Sequence, residues 1–592
     1  MALLAVFLAQ ILSFPKFVDV WTTGIFHDTD DALRLVQVRD WMIGQGWFDL
    51  TVWRMDPPNG VFMHWSRVLD VPIAALIGVF GIFAQAETAE RLARLTFPAA
   101  MHIGFFLAMI GLGRRLLGEG AVALTALLAL FTTATTYQFL PGRLDHHGAQ
   151  IILLILMIST SLDALKDGSA RAGFRAGALA ALSLAISAEN LPYLVTLAAA
   201  FGMMWIVKGP ETQKAFSAFG ASLAVATALA FLLTVGPQRY SYFEFDSLST
   251  TLLGAATVGG GANVALAALS GRCRSVASRI LAATSAVIVM IAIAIAACPA
   301  ILSDPKRALD AYGMVDPFAR EVWLSQVSEA QPLWSLVLMR PRDFLPIALP
   351  MLAGLLGIAL AIAGDRKARA QWFVVAGFGG VGVLAACWQV RAATSAAPIL
   401  ILGGAWAVMR IAEMTRDASG NIRPLLPLAA SLPFVTIFWA QVATIKVSSP
   451  ATAAVAATPS NSAAISSEAC YETASLRALN ALPTSLLLNQ IDHAGYILAE
   501  TPHSVIASAY HRNNHGNRIG LNAFLARPDE AHEIARASGA RYLVICQPSN
   551  EIDSYASRAP QGLAATLARG ETPAWLVPIA LGATPYRAYE IR

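Results

Sequence analysis

Apolar residues recur along the chain in stretches of about 20, from its start to about residue 443, and short polar gaps separate them. A helix of about 20 residues covers the roughly 30 Å hydrocarbon core of a bilayer. The pattern therefore predicts thirteen membrane-spanning helices, at about 2–20, 95–113, 120–138, 149–165, 175–188, 191–207, 215–235, 248–270, 280–300, 345–363, 371–387, 394–411 and 424–443.

Basic residues orient these helices. Arginine and lysine cluster in every second gap, from Arg114 to Arg423. Because cytoplasmic loops carry an excess of both residues, we expect those gaps to be cytoplasmic. The apolar stretch 71–85 does not fit as a span, since counting it would invert all later helices. It is predicted to lie in the membrane interface, within a long outer loop.

The overall composition agrees with a membrane protein. Of 592 residues, 56% are hydrophobic and only 14% are charged, which excludes an ordinary soluble enzyme. A membrane β-barrel would show short alternating segments, and the sequence does not contain them. It also contains no glycine-rich phosphate loop leading into a suitable helix, so a nucleotide-dependent enzyme is not indicated.

The composition changes after the last span. A linker rich in serine, threonine, alanine and proline, 447–466, leads to a mixed segment, 467–592, with strand-like SLLLNQ, HSVIAS and RYLVICQ and a helical PDEAHEIARAS. The predicted fold class is thus an all-α polytopic membrane domain, 1–446, followed by a small α/β domain. Thirteen spans from a cytoplasmic start place this domain in the periplasm of a bacterium, where Cys470 and Cys546 are expected to form a disulfide.

Acidic residues and histidines collect in the predicted outer loops, chiefly 21–94, 139–148 and 301–344. In FHDTDDALR and GRLDHHGAQ, from the first two loops, the candidate residues are Asp28, Asp30, Asp31, Arg34, Asp145, His146 and His147. Acidic groups so close to hydrocarbon are costly unless they are paired or bind a cation. For the first loop alone, an N-cap at Asp28 or Asp30 is the simpler interpretation.

Taken together, the two loops favour a metal site. Carboxylate and imidazole ligands from separate loops suit Mn²⁺ or Mg²⁺ better than structural zinc, which favours sulfur or several histidines. The third loop adds Glu329, a lone carboxylate between Trp323 and Trp334. A solvated loop acid is the alternative interpretation of Glu329.

Two further polar sites lie at predicted outer helix ends. Arg391, beside Trp388, fits either a phosphate clamp or a side chain that extends to the membrane interface. Glu189 and Asn190 occupy a short turn between two spans. Capping of that turn is favoured for them over contact with a donor substrate.

These motifs resemble those of the catalytic subunit of oligosaccharyltransferase and its archaeal relatives, within the GT-C superfamily of membrane glycosyltransferases. The resemblance rests on DTDDALR and HWSR in the first loop, GRLDHHGAQ in the second and VSEAQPLW in the third. It implies the GT-C fold and a divalent metal, Mn²⁺ or Mg²⁺, held by Asp28, Asp145, His147 and Glu329. It also implies that a donor phosphate contacts Arg391, with Arg34 and His64 as further candidates.

The sequence departs from the family pattern in two places. Gln150 stands where archaeal members carry the acid of G-x-x-D-H-H-x-x-E, and the expected Trp-Trp-Asp motif is reduced to Asp492 in NQIDHAGYI. The missing motif reads the serine or threonine of an Asn-x-Ser/Thr acceptor in the family. The following TPHSVIASAYHRNNHG contains His511 and Arg512, which are expected on the acceptor or phosphate side.

The resemblance implies a metal-assisted glycosyltransferase of the bacterial inner membrane, with its active site on the periplasmic side. The expected partners are a polyprenyl-phosphate or polyprenyl-diphosphate sugar donor, membrane lipids, and a glycan, lipid or protein acceptor, but no nucleic acid. Asp28 and Glu329 are the candidates for orienting or deprotonating the acceptor. The alternatives are a lipid-linked saccharide flippase, which would show charges within its spans and repeated halves, and a non-catalytic metal-binding subunit.

Overall fold

The computed structural model describes residues 1–297, 300–304, 312, 314–416, 425–444 and 467–592, so the predicted linker 447–466 lies outside the described residues. The described residues up to 444 are mostly helical, and residues 467–592 form a small fold around a β-sheet. The predicted fold class, an all-α membrane domain with a small α/β domain after it, is therefore confirmed.

Helices of very different lengths build the first part. Their bounds are Ala2–Leu12, Phe14–Thr23, Thr29–Met42, Asp70–Gly81, Ala86–Leu117, Val122–Leu130, Thr133–Thr136, His147–Asp167, Ala170–Ile186, Leu191–Lys208, Gln213–Thr234, Thr250–Ala268, Val276–Ala297, Ala300–Ser303, Pro317–Val322, Leu336–Met339, Pro341–Gly364, Arg369–Trp388, Ala393–Met414, Leu425–Ser431 and Thr436–Thr444. Between them, β1 (Thr51–Val52) and β2 (Val61–Phe62) form an antiparallel pair.

The helices make the chain a multi-pass membrane protein. Within the described ranges, eight helical segments are long and apolar enough to cross a bilayer, and eleven if each of three bent pairs is one span. The bent pairs coincide with the predicted spans 2–20, 120–138 and 424–443 and bend by 66°, 73° and 77°. The count of thirteen predicted spans exceeds eleven for two reasons. Ala170–Ile186 has only 17 residues, and the segment Ala188–Thr234 covers two predicted spans, 191–207 and 215–235.

The segment Ala188–Thr234 contains two helices that run in opposite directions. Two glycines of the preceding helix, Gly173 and Gly177, lie against Ala215 and Phe219 in the second of them. The residue numbers rise together on both sides of this contact, so the two outer helices are parallel and the helix between them must return. Close backbone approach at small residues is typical of packing between membrane helices.

The stretch predicted to lie in the interface is a helix, Asp70–Gly81. Its 12 residues give a length of about 18 Å, which is too short for a hydrocarbon core of roughly 30 Å. Its packing against Ala86–Leu117 is consistent with a helix that does not cross the bilayer.

The C-terminal fold has a five-stranded sheet in the described residues, with strand order β4-β3-β5-β7-β6. The strands are β3 (Leu486–Asn489), β4 (Ser504–Val505), β5 (Tyr542–Cys546), β6 (Leu576–Ile579) and β7 (Tyr586–Ile591). β3 pairs parallel with β4 and β5, and β7 pairs antiparallel with β5 and β6. The helices around the sheet are Thr473–Arg477, Ala494–Glu500, Asn514–Leu525, Pro528–Ala537, Asn550–Arg558 and Leu563–Ala568. A disulfide joins Cys470 to Cys546, at the end of β5.

The loop 21–94 holds the C-terminal fold in place. Met55 pairs in parallel with Val505, so the loop continues the sheet beyond its edge strand β4. Arg54 donates hydrogen bonds to the carbonyl oxygens of Leu498, Thr501 and His503, at the end of one helix. Charged donors at the end of a helix satisfy carbonyl groups that have no partner within the helix. The two parts of the chain therefore share one interface, and the candidate site lies at it.

Candidate functional site

A cavity of about 1020 Å³ opens where the loops 21–94, 139–148 and 301–344 meet the C-terminal fold. The predicted site residues that line it are Asp28, Asp30, His64, His146, His147, Glu329, Arg391 and His511. Asp31, Arg34, Asp145 and Arg512 lie behind this lining, in contact with other polar side chains. Residues that are far apart in the sequence thus converge on one cavity.

Two imidazoles at the cavity lie between two carboxylates. In His147, Nε2 is 3.0 Å from Asp145 Oδ2 and Nδ1 is 2.8 Å from Glu189 Oε2. In His146, Nδ1 is 2.5 Å from Asp145 Oδ1 and Nε2 is 3.4 Å from Glu189 Oε2. Burial alone would raise the pKa of Asp145, but the charges of both imidazoles hold it well below its usual value. We call these four residues the carboxylate–imidazole ring.

The backbone before this ring is fixed by Asp31. Its Oδ1 accepts hydrogen bonds from the backbone N–H groups of Leu144 and Asp145, at 2.7 and 3.1 Å. The helix His147–Asp167 begins directly afterwards, so its first residue projects from the helix end into the cavity. Asp31 therefore positions the loop that carries the ligands, while its own side chain is fully buried.

Arg143 connects the first two loops. Its Nη1 is 2.5 Å from Asp28 Oδ2 and 3.1 Å from Asp31 Oδ2, and its Nη2 is 3.5 Å from Asp145 Oδ2. Asp28 is also the N-cap of the helix Thr29–Met42, where it accepts from the N–H of Asp30. Asp28 thus caps a helix and lines the cavity, so the two interpretations of this residue are compatible.

The opposite side of the cavity carries Glu329 and Arg391. Glu329 is exposed within the cavity, where partial desolvation and then the charges of Asp28 and Asp145 raise its pKa, against the lowering effect of Arg391. Burial raises the pKa of Asp30, and the charges of Asp145, Asp28 and Glu329 raise it further. The Arg391 guanidinium lies 5.0 Å from the Tyr312 ring centre and 3.8 Å from Glu189 Oε1, and it faces the cavity.

The carboxylate–imidazole ring is chemically suited to a divalent cation. Ligand atoms of Asp145, His146 and His147 all lie within 4.8 Å of one another, and oxygen with imidazole nitrogen is a common donor set for such ions. In the part of the chain that the structure describes, Asp28 and Glu329 are not members of this group. Of the four ligands predicted from the sequence, Asp145 and His147 come together, and His146 joins them.

A second group of potential ligands contains His64, Asp246 and His511. Asp246 is already engaged, because His511 Nε2 lies at 2.7 Å and Arg512 reaches both carboxylate oxygens at 2.7 and 2.8 Å. A guanidinium that neutralises the carboxylate makes this group the poorer cation site. Burial lowers the pKa of His64, which favours its neutral form.

Arg34 does not reach the cavity. Only 1% of its side chain is exposed, its Nη1 is 3.0 Å from Asp70 Oδ1, and its guanidinium lies over the Trp65 ring at 4.5 Å. Asp70 also pairs with Arg67 at 3.1 Å. Contact between Arg34 and a donor phosphate would require this buried network to break. Arg34 therefore stabilises the loop 21–94 through Asp70 and Trp65 and does not face the cavity.

The C-terminal fold contributes two acidic residues, Asp492 and Glu551, to the cavity lining. The indole N–H of Trp323 donates to Asp492 at 3.2 Å, and Glu551 accepts from the N–H groups of Ile491 and Asp492. Burial raises the pKa of Glu551 to about 8, and the neighbouring Asp492 adds to the shift. All three polar side chains line the cavity.

Sequence reasoning missed Arg143, Asp246 and Glu551, and it favoured a capping role for Glu189. Arg143 lies inside GRLDHHGAQ, so its position near Asp145 was visible in the sequence. Its ion pairs with Asp28 and Asp31 were not visible there. In the structure Ser187 caps the turn by accepting from the N–H of Glu189, while the Glu189 side chain faces the histidines.

Comparison with known proteins supports the fold. No family model and no curated protein sequence matches the chain. Among solved structures, an archaeal oligosaccharyltransferase, AglB from Archaeoglobus fulgidus, in complex with an inhibitory peptide and a dolichol-phosphate, superimposes with a TM-score of 0.68 at 14% identity over 98% of this chain and 72% of that one. The chain has the oligosaccharyltransferase fold.

A second structure of the Archaeoglobus fulgidus oligosaccharyltransferase, in a complex with Zn and sulfate, gives a TM-score of 0.60 at 16% identity, over 94% of this chain and 70% of that one. ArnT from Cupriavidus metallidurans matches 99% of this chain and 97% of its own, with a TM-score of 0.43 and 12% identity. The two oligosaccharyltransferase structures confirm, for the fold, the resemblance expected from the loop motifs.

Proposed function

We propose that the protein is a metal-assisted membrane glycosyltransferase. It transfers a sugar or oligosaccharide from a polyprenyl-phosphate or polyprenyl-diphosphate donor to a glycan, lipid or protein acceptor, on the periplasmic side of a bacterial inner membrane. The observation that carries the proposal is the convergence of Asp28, the carboxylate–imidazole ring, Glu329 and Arg391 on one cavity. The oligosaccharyltransferase fold around the cavity supports the same function.

The chain's own residues divide the chemistry between them. Arg391 faces the cavity and can bind a phosphate through two parallel hydrogen bonds. Asp145, His146 and His147 would hold a divalent cation, which supplies positive charge for the leaving phosphate. The bond between the anomeric carbon and the phosphate oxygen breaks, its electron pair stays on that oxygen, and the acceptor atom bonds to the anomeric carbon.

The acceptor proton must pass to a base, and Glu329 fits this role better than Asp28. Both carboxylate oxygens of Asp28 are already engaged, because Arg143 Nη1 lies 2.5 Å from Oδ2 and Oδ1 accepts from the N–H of Asp30. Partial desolvation in the cavity and the neighbouring carboxylates raise the pKa of Glu329, which makes it a stronger base. Asp28 then orients the acceptor and, through Arg143, the second loop.

Purified full-length protein with a polyprenyl-phosphate sugar and a polyprenyl-diphosphate sugar tests this function. We expect transfer that EDTA removes and that Mn²⁺ restores. Asp145→Asn and Glu329→Gln should each lower the rate by at least about 100-fold. Glu571→Gln, which changes an exposed acid of the C-terminal fold, is the matched control and should keep the wild-type rate.

The competing functions give different results in the same preparation. A flippase would move labelled donor across vesicles without sugar transfer, and a non-catalytic subunit would bind Mn²⁺ without turnover. Turnover that survives EDTA and both substitutions would exclude the proposed metal mechanism.

A further inference from the structure

We propose that Glu189 is a positioning residue for the metal centre: it fixes the His147 imidazole so that Nε2 is available to a divalent cation beside Asp145. The proposal rests on the metal-assisted function above and assigns to this chain a second carboxylate, from a different loop. It also explains how the chain can lack an acid at position 150.

The geometry of His147 supports this role. Its Nδ1 lies 2.8 Å from Glu189 Oε2; with Nδ1–H donating to that carboxylate, a neutral ring would present its lone pair at Nε2. That nitrogen is 3.0 Å from Asp145 Oδ2. Two lone-pair atoms at this distance repel unless a proton or a cation lies between them. Metal-bound histidines usually donate their other N–H to such a carboxylate, which fixes the ring's orientation and raises its basicity.

Position 150 cannot provide the same contact. The Gln150 amide donates to the carbonyl oxygens of Ser183 and Ser187 at 2.9 and 3.1 Å, and its oxygen accepts from Asn190 at 2.6 Å. Gln150 is 1% exposed and therefore connects two helices instead of facing the cavity. The turn that Gln150 holds is the one that carries Glu189, so Gln150 places the acid without supplying it.

Glu189 also lies close to the residue proposed for the donor phosphate. Its Oε1 is 3.8 Å from Arg391 Nη1, while its Oε2 contacts His147. One carboxylate therefore spans the distance between the candidate cation ligands and the candidate phosphate contact. The loss of Glu189 should loosen both groups.

Calorimetric titration of the purified full-length protein with Mn²⁺ tests the proposal. Glu189→Ala should weaken Mn²⁺ binding by about 10- to 100-fold, the usual effect of removing such a supporting carboxylate. Glu189→Gln keeps an oxygen that can accept from Nδ1–H, so it should recover most of this loss, to within about tenfold of wild type. Asp145→Asn, which removes a ligand, should abolish measurable binding, and Glu571→Ala should bind like wild type.

The outcomes separate this proposal from the function on which it rests. Wild-type affinity in Glu189→Ala, or an equal loss in the Gln and Ala variants, would overturn the positioning role. Sugar transfer by the wild-type protein, measured in the same preparation, tests the function independently. If Glu189→Ala does not fold, as judged by its thermal melting in EDTA, Glu189→Leu, which also removes the acceptor oxygens, takes its place, and the same comparison with the Gln variant decides.

Discussion

Gln150→Glu restores an acid to the DHHxxE pattern, and we predict that it destabilises the protein. The Gln150 amide nitrogen donates to two carbonyl oxygens, of Ser183 and Ser187, and its oxygen accepts from the Ser183 hydroxyl and from Asn190. An ionised glutamate would point an oxygen at both carbonyl groups in a buried site. The introduced glutamate therefore has to bind a proton. Its single O–H can then donate to only one of the carbonyl oxygens of Ser183 and Ser187.

The magnitude follows from these contacts. Protonating a glutamate at pH 7 costs about 3.7 kcal/mol, from its ordinary pKa of about 4.3. The second carbonyl group loses its donor, which costs about 1 kcal/mol more. We therefore expect the free energy of unfolding to fall by about 4 to 5 kcal/mol at pH 7. The first cost decreases to about 1 kcal/mol at pH 5, because the group is protonated in the folded state and its stabilising form is lost as the pH rises.

Denaturant titration of detergent-solubilised protein at pH 7 and pH 5 measures both values. Gln561→Glu, at an exposed position of the C-terminal fold, is the control and should change stability little at either pH. A Gln150→Glu protein as stable as wild type at pH 7 would refute the buried network. An increase in Mn²⁺ affinity would show that the acid reaches the cavity, which contradicts the described geometry.

Three other substitutions test the framework of the site. Asp70→Asn leaves Arg34 and Arg67 buried without a counter-charge, so denaturant titration should show a loss of about 3 to 5 kcal/mol. Arg54→Ala removes three hydrogen bonds to the C-terminal fold, and limited proteolysis should cleave that fold faster than in wild type. Glu551 has a pKa raised to about 8 by burial, so its contribution to stability is full below about pH 4.5 and is lost as the pH rises through 8. Melting temperatures of Glu551→Gln should therefore depend less on pH in that range.

Much of the membrane domain could be predicted from the sequence, because hydrophobic length is a local property. Each predicted span corresponds to a helix or a bent pair of helices within the described residues. The bends in three of them were not predicted. At Pro433, next to one break, a candidate cause is visible in the sequence. A second break follows Leu130, where Phe131, Thr132 and Thr133 have low helix propensity but include no proline or glycine.

The C-terminal fold was predicted less completely. β3, β4 and β5 coincide with the three strand-like segments, and the helix Pro528–Ala537 lies between the last two as expected. β6 and β7 were not predicted, since YRAYEI contains charged residues and alternates only partly. β7 is stable as a strand because β5 and β6 pair with it on both sides, and such pairing is not visible in one segment.

For the site, the sequence indicated the types of residue involved but not the directions in which their side chains point. The sequence indicated which loops carry ligands, because acids and histidines beside hydrocarbon are rare and costly. It did not indicate that Arg34 turns inward to Asp70, or that Glu189 meets His147, because both contacts join different helices or loops. Local patterns identify candidate chemistry, and only tertiary packing decides which candidates face the cavity.

The charge balance around the second loop is compatible with a bound cation. The carboxylates of Asp28, Asp31 and Asp145 surround the permanent positive charge of Arg143, and Glu189 lies 3.8 Å from Arg391. Burial raises the pKa of Asp31 to about 7, and the negative charge of Asp145 and Glu189 can be balanced by protons on the two histidines or by a divalent cation with neutral imidazoles. The second arrangement leaves one imidazole nitrogen for the metal and one N–H for Glu189, which is the pattern of a supported metal ligand. Arg143 holds the loops together in both arrangements, so the cation can bind without a change of fold.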